Sequence, residues 1–319
     1  MPQRFVTLDL FRGLAAIAVL LFHAERVVPR GYLAVDLFFM LSGFVLYRAY
    51  SDRLGDWNQI GDFIIRRIIR LYPLMLAGAA IGLLVKGGSW WVLLLVPTGT
   101  NLLYFENVVL WSLLLEVFAS IAFALLFRFG KPIGIAFVLI GGIALASSVQ
   151  FHGDANLGFR WETFWPGVAR VMFGFTLGVG IGAFFKPERI RTSGWGYALA
   201  LLPVPLLMMP AGPVMPDLIA IFFVFPAITI LGASIQVPEP KSAIWLGSMS
   251  YAFYVIHFPL LRLAQRYQVA TIWVLAGCVI AAWLLERFYD RNARRFLTMG
   301  LDALQRRYRT RSALANSAA

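Results

Sequence analysis

The stretch Leu8–Pro29, LDLFRGLAAIAVLLFHAERVVP, constrains this chain more than any other. It is apolar and long enough to cross a hydrocarbon core of about 30 Å, yet it carries Asp9, Arg12 and His23. A charged side chain at the bilayer centre costs about 2.5–3.5 kcal/mol on insertion scales, so a charge kept there is a candidate for function. Eleven residues separate Arg12 from His23. Eleven helical steps of about 100° return to nearly the same face after a rise of roughly 16 Å. One helix face therefore carries a guanidinium near one membrane surface and an imidazole more than halfway across.

The rest of the chain repeats the apolar pattern. Of 319 residues, 60% are hydrophobic and 14% charged, against roughly 45–50% and about 25% in a soluble domain. The mean hydropathy of +0.75 agrees. The expected fold class is all-α, a polytopic membrane protein of about ten transmembrane helices. The runs read are 9–29, 32–50, 71–87, 108–127, 132–150, 165–185, 195–210, 217–235, 245–264 and 270–289. The membrane domain is taken as residues 1–297, and 298–319 as an amphipathic tail on anionic lipid that ends in an unpacked ALANSAA. The first run lacks a small-residue cleavage site and is read as a retained span. Trp90–Pro97 is too short to cross and is read as interfacial.

The net charge of +12 does not point to nucleic acid, because the cations sit between apolar runs. Ten spans with the N-terminus inside put twenty Lys and Arg on the inner side, from Arg4 through the Arg48–Arg70 cluster, Arg189 and Lys241 to the C-terminal arginines. Seven fall in the outer half: Arg26, Arg30, Lys86, Arg160, Arg170, Arg262 and Arg266. That bias puts both termini in the cytoplasm, His23 toward the outer leaflet and Arg12 toward the inner one. Cys278 is the single cysteine, which excludes an intrachain disulfide and a cysteine metal site. With no HExxH, GxSxG, P-loop or Rossmann pattern, no metal is expected, nor serine acyl-enzyme chemistry or ATP-driven transport.

Four segments can carry chemistry. In Asp62–Pro73, DFIIRRIIRLYP, Arg67 and Arg70 share a helix face, and Pro73 marks the turn into the third span. They are either positive-inside anchors or a clamp for the phosphates of a nucleotide-based cofactor. In Gly31–Leu46, Asp36 lies one short turn from His23 and can fix its tautomer, or it can cap the loop. Ser42-Gly43 reads as a notch for close helix packing. In WSLLLE, Ser112 and Glu116 share a face, and Glu116 needs a partner, either His23 or an outer-side arginine. In Ser250–Pro259, His257 reads as a satisfied core residue, as Arg170 does in the sixth run.

These segments in this order resemble the acyltransferase-3 family of integral membrane acyltransferases, whose bacterial members O-acetylate glycans. LDLFRGLAAIAVLLFH is similar to the family's arginine-x10-histidine opening, GYLAVDLFFMLSGFVL to its second-span pattern, and RIIRLYP to RxxRxxP. WSLLLE matches WSLxxE, and SYAFYVIHFPL its histidine-proline segment. RVMFGFTLGVGIG resembles the sixth-span segment. Asp290-Arg291-Asn292 stands in place of the usual E-x-P. The resemblance covers about residues 5–297. It implies a bacterial inner-membrane enzyme that uses cytoplasmic acetyl-CoA. His23 would be the catalytic base or acyl acceptor, and Glu116 or Asp36 its orienting carboxylate. Arg12, Arg67 and Arg70 would hold the donor. The acceptor would be an extracytoplasmic glycan, an exopolysaccharide or O-antigen, free or as a lipid-linked oligosaccharide. A polysaccharide transporter or flippase, and acylation of a small natural product, are the alternative readings.

Overall fold

A computed structural model describes residues 5–317 apart from 25, 189, 193, 239 and 240, and the side chains of 241, 242 and 308–317 are not described. Arg4, Arg189 and the Lys241 side chain, counted above on the inner side, lie outside the described residues, as do Ala318 and Ala319. The chain is a bundle of helices: α1 Val6–His23, α2 Ala34–Tyr50, α3 Trp57–Lys86, α4 Leu110–Leu126, α5 Gly130–His152 and α6 Phe164–Phe184. Four follow: α7 Met215–Ser234, α8 Lys241–Arg266, α9 Thr271–Leu284 and α10 Arg291–Ser317. Two-residue parallel strands, Ile190–Arg191 and Ile235–Gln236, are the one sheet among the described residues.

Among the described residues, eight stretches are long and apolar enough to cross a membrane, against the ten expected. The runs 108–127 and 132–150 fall within one 43-residue stretch, Leu110–His152, interrupted by a 3-10 turn at Phe127–Phe129 and by Gly130 at φ +73°. The run 195–210 corresponds to the shorter apolar segment Trp195–Leu207, where prolines at 203 and 205 limit α-helix to Val204–Leu207.

Pro73 does not mark a turn. α3 runs unbroken through it from the Asp56 cap, whose side chain accepts from the Gln59 N–H at 2.9 Å, to Gly87 at φ +71°. Proline removes one backbone donor from the helix interior. Two residues before it, the Tyr251 hydroxyl donates to the Leu71 carbonyl at 3.0 Å, tying a neighbouring helix to α3 beside the proline. The arginine-bearing segment and the third span are thus one rigid rod.

Backbone contact sets the register of α2 on α6. A Cβ on Gly43 would stand 2.0 Å from the Phe175 carbonyl oxygen, and one on Gly178 would stand 2.0 Å from that of Met40. Small residues let helices approach this closely where apolar burial offers no drive between them. α1 meets α8 similarly, since a Cβ on Gly247 would lie 2.4 Å from that of Asp9. The result is two polar ends on an apolar bundle: the arginines of α3 gather at one, the C-terminus of α1 at the other. α10 continues as helix to Ser317, so ALANSAA is not an irregular tail up to that residue. It docks on α3 through Arg66–Asp302 at 2.8 Å and Gln305–Asp62 at 2.8 Å.

Candidate active site

At the Arg70 end the structure brings together Arg12, Arg67, Arg70 and Glu116. The Arg67 guanidinium donates to Glu116 Oε1 at 2.6 Å, to Ser42 Oγ at 3.0 Å and to Ser120 Oγ at 3.0 Å. Ser42 also donates to Glu116 Oε1 at 2.6 Å. A carboxylate with a guanidinium and a hydroxyl in place is neutralised where an unpaired one would be expensive. Arg12 lies in the field of Glu116, Asp9, Arg67 and Arg70. Arg70 is half-exposed, with its nearest carboxylate, Asp290, at 3.8 Å. Asp290 sits in a π-helical segment, Leu285–Asp290, that turns it and Glu286 inward. It is engaged by Arg294 at 2.6 Å. A π-turn often marks a functional position.

At the opposite end lies a cavity of about 490 Å³ lined by His23, Tyr32, Trp111, Arg170 and Tyr254 among others. His23, the last residue of α1, is half-buried. Its ring stands 5.4 Å from that of His257, centre to centre and tilted by 30°, and 5.1 Å from Phe258. His257 is fully buried. Its Nδ1 lies 2.7 Å from the Tyr254 carbonyl oxygen, while its Nε2 has no hydrogen-bond partner. A carbonyl only accepts, so Nδ1 carries the proton and Nε2 presents a lone pair. The Tyr254 hydroxyl is 2.8 Å from Ser112 Oγ, so a line of polar groups runs from the α4 face bearing Glu116 through Ser112 and Tyr254 to the two imidazoles.

Neither carboxylate expected beside His23 is there. Asp36 faces α6, where Arg170 grips it in two bonds, Nε to Oδ1 at 3.0 Å and Nη2 to Oδ2 at 2.6 Å. Both side chains are 1% exposed. The remaining donors of Arg170 reach the carbonyls of Leu157 at 2.7 Å and Tyr32 at 3.2 Å. Glu116 is held by Arg67 instead. The physical reason is common to both: in an apolar interior the guanidinium fork satisfies a carboxylate better than one imidazole N–H does. His257, read from sequence as a core residue, is the imidazole neighbour of His23. Its own sequence neighbourhood carries no signal of this, because any helical histidine has a carbonyl three residues back; the approach of α1 to α8 creates the pair.

The model of the family described as an acyltransferase domain matches residues 5–287. The chain is 29% identical over 323 aligned residues to acyltransferase MdmB of Streptomyces mycarofaciens, covering 83% of this chain and 82% of that protein. It is 25% identical over 292 residues to a protein of Komagataeibacter xylinus named as a membrane-bound transacylase, BcsY, covering 79% and 72%. A shorter match, 45% identical over 85 residues, links it to protein 2 in the picA locus of Rhizobium radiobacter, with 25% of this chain and 44% of that protein covered. No solved structure matches.

Proposed function

The chain belongs to the acyltransferase domain family as a multi-pass membrane acyltransferase, and we propose that it carries an acetyl group from cytoplasmic acetyl-CoA to a hydroxyl of an extracytoplasmic glycan. The Arg70 end faces the cytoplasm in this reading, as the positive-inside bias requires. Arg12, Arg67 and Arg70 form the donor's phosphate site. Arg70 offers a half-exposed guanidinium to the aqueous phase, and Arg67, already spent on Glu116, fixes the shape of the site.

The observation that carries the proposal is the His23–His257 pair at the wall of an open cavity, with a buried Nε2 lone pair and, among the described residues, no carboxylate alongside. His23 takes the proton of the acceptor hydroxyl as general base. The oxygen attacks the thioester carbonyl, the C–S bond breaks and the proton leaves with the thiolate. His257, packed ring to ring against His23, offers its Nε2 lone pair to the His23 N–H opposite the nitrogen that takes the acceptor proton and so stabilises the imidazolium, the role a carboxylate plays in a triad. The glycan, as an exopolysaccharide or lipid-linked oligosaccharide, enters through the cavity.

The test is NMR of the surface glycan from a deletion strain and from strains complemented with wild type and with His23→Ala. O-acetyl signals should vanish on deletion, return with wild type and stay absent with the inserted, folded variant. Full acetylation by His23→Ala would overturn the assignment.

A further inference from the structure

Among the described residues, the cavity beside His23 is lined by four arginines and by no aspartate or glutamate. One of them, Arg170, is neutralised inside the protein by the buried Asp36. The other three have no buried carboxylate partner among the described residues. Arg26 follows α1, Arg160 precedes α6, and Arg262 lies near the C-terminal end of α8, so three separate elements converge their charges on one opening. Each guanidinium lies over an aromatic ring of its own segment: Arg26 at 5.8 Å from the Phe22 centroid, Arg160 at 5.4 Å from Phe159 and Arg262 at 4.9 Å from Phe258. A ring beneath a guanidinium holds it by cation–π attraction and leaves its edge N–H groups free. The opposing groups are few. Arg160 meets Glu162 at 3.6 Å with both side chains well exposed, and Arg262 donates to the Gln265 amide oxygen at 3.1 Å. Lys86 lies in the field of Arg262 and also of the carboxylate Glu106, and its ammonium donates to the Phe105 carbonyl. Arg26 also holds a left-handed backbone at φ +58°, a conformation a non-glycine residue keeps at some cost.

A neutral sugar needs none of this. We propose that the acceptor is anionic, and that Arg26, Arg160 and Arg262 bind an oxyanion on it, a sugar carboxylate or the diphosphate of a lipid carrier, so that a hydroxyl is delivered to His23. The inference rests on the cavity being the acceptor site, as set out above. It adds what that site selects. The guanidinium fork accepts carboxylate and phosphate oxygens in the same two-bond geometry, which is why the two sources share one recognition chemistry.

Equilibrium binding to the detergent-solubilised full chain separates them. The probes are 4-nitrophenyl β-D-glucuronide against 4-nitrophenyl β-D-glucoside, and geranyl diphosphate against geraniol. At least one anionic probe should bind about tenfold or more tightly than its neutral twin, the effect of a single charge-assisted hydrogen bond or more. Arg262→Gln and Arg160→Gln should each reduce that preference by about the same factor without changing the affinity for the neutral twin. Arg26→Gln serves where either fails to elute as a monodisperse peak. A glucuronide preference puts the anion on the sugar, and a diphosphate preference puts it on the lipid carrier. Equal binding of charged and neutral twins overturns the proposal, as does a preference indifferent to all three arginines, which would make them lipid-headgroup anchors. A matching loss of acetyl-CoA binding in Arg262→Gln also overturns it, since the cavity would then hold the donor's phosphates. Should the anion preference hold while wild type transfers no acetyl group, the function above fails and the anion site stands.

Discussion

Replacing Asp36 by Asn distinguishes a structural carboxylate from a catalytic one. Asp36 and Arg170 are both 1% exposed, joined by two bonds, and Arg170 adds two carbonyls from other segments. Asp36→Asn leaves a buried guanidinium uncompensated, which costs about 3–5 kcal/mol. At about 2.1 cal/mol/K of unfolding entropy per residue, the chain's 319 residues convert this to a Tm lower by about 4–7 °C. The shift grows where helices persist in the unfolded state, because the unfolding entropy is then smaller. Asp36→Asn combined with Arg170→Gln removes both charges and keeps hydrogen-bonding groups on both helices, so at least half of the loss should return. The assay is thermal unfolding of the detergent-solubilised protein, followed by tryptophan fluorescence, with acetyl-CoA consumption measured on the same samples. Rescue of both stability and turnover confirms that Asp36 serves the α2–α6 joint. An Asp36→Asn variant as stable as wild type refutes the burial argument. A double variant that is stable yet inactive would return Asp36 to the chemistry of His23.

Three further outcomes follow from the same geometry. Arg67→Gln strands Glu116 and should destabilise by about 3–5 kcal/mol, whereas Arg70→Gln should leave Tm unchanged and raise KM for acetyl-CoA severalfold; thermal unfolding with donor titration reads both, and the reverse pattern would return Arg70 to anchoring. His257→Asn should slow transfer by about 10²–10⁴, the usual range of a general-base contribution, with acetyl-CoA affinity intact; an unchanged rate makes His257 a packing residue. Gly178→Val should abolish monodisperse protein by size exclusion, because its Cβ would stand 2.0 Å from the Met40 carbonyl, while Gly180→Val, with nothing within 4 Å, should elute as wild type; equal behaviour of the two would refute backbone contact between α2 and α6.

The apolar runs and the cationic clusters were legible in the sequence because composition alone reports them. The pairing of charges was not. Arg12 and His23 do share α1, a matter of helical period. Which carboxylate met which cation depended on the α2–α6 register, and that is set by Gly43 and Gly178, residues with no charge to signal it. Asp36 was one turn from His23 in sequence and faces the other way because α2 is clamped to α6. Glu116 was read as lying near the His23 side, but Arg67 reaches it because α3 passes straight through Pro73 instead of bending there. His257 was undervalued for a related reason: a lone histidine on an apolar helix is ordinary, and only the approach of α1 to α8 makes it a second imidazole.

The separation of the two polar ends has a mechanistic consequence. Arg12 and His23 stand about 16 Å apart along α1, so phosphates held at the arginines cannot themselves approach the imidazoles. On the proposed function, the two ends are joined by the pantetheine arm of acetyl-CoA, extended to a length of the same order. That arm carries amide groups, and an amide in an apolar interior without a hydrogen-bond partner is costly. Among the described groups, Ser112 and Tyr254 line the way between Glu116 and the His23–His257 pair, with hydroxyls 2.8 Å apart. Both can donate and accept, so they can exchange their mutual bond for bonds to the arm without stranding either. On this account Tyr254→Phe removes a hydroxyl from the path but keeps the ring and the carbonyl that holds His257. It should raise the KM for acetyl-CoA more than for its headgroup fragment 3′-phospho-ADP, measured as an inhibitor constant. Equal effects on both would mean that the arm takes another route through the bundle.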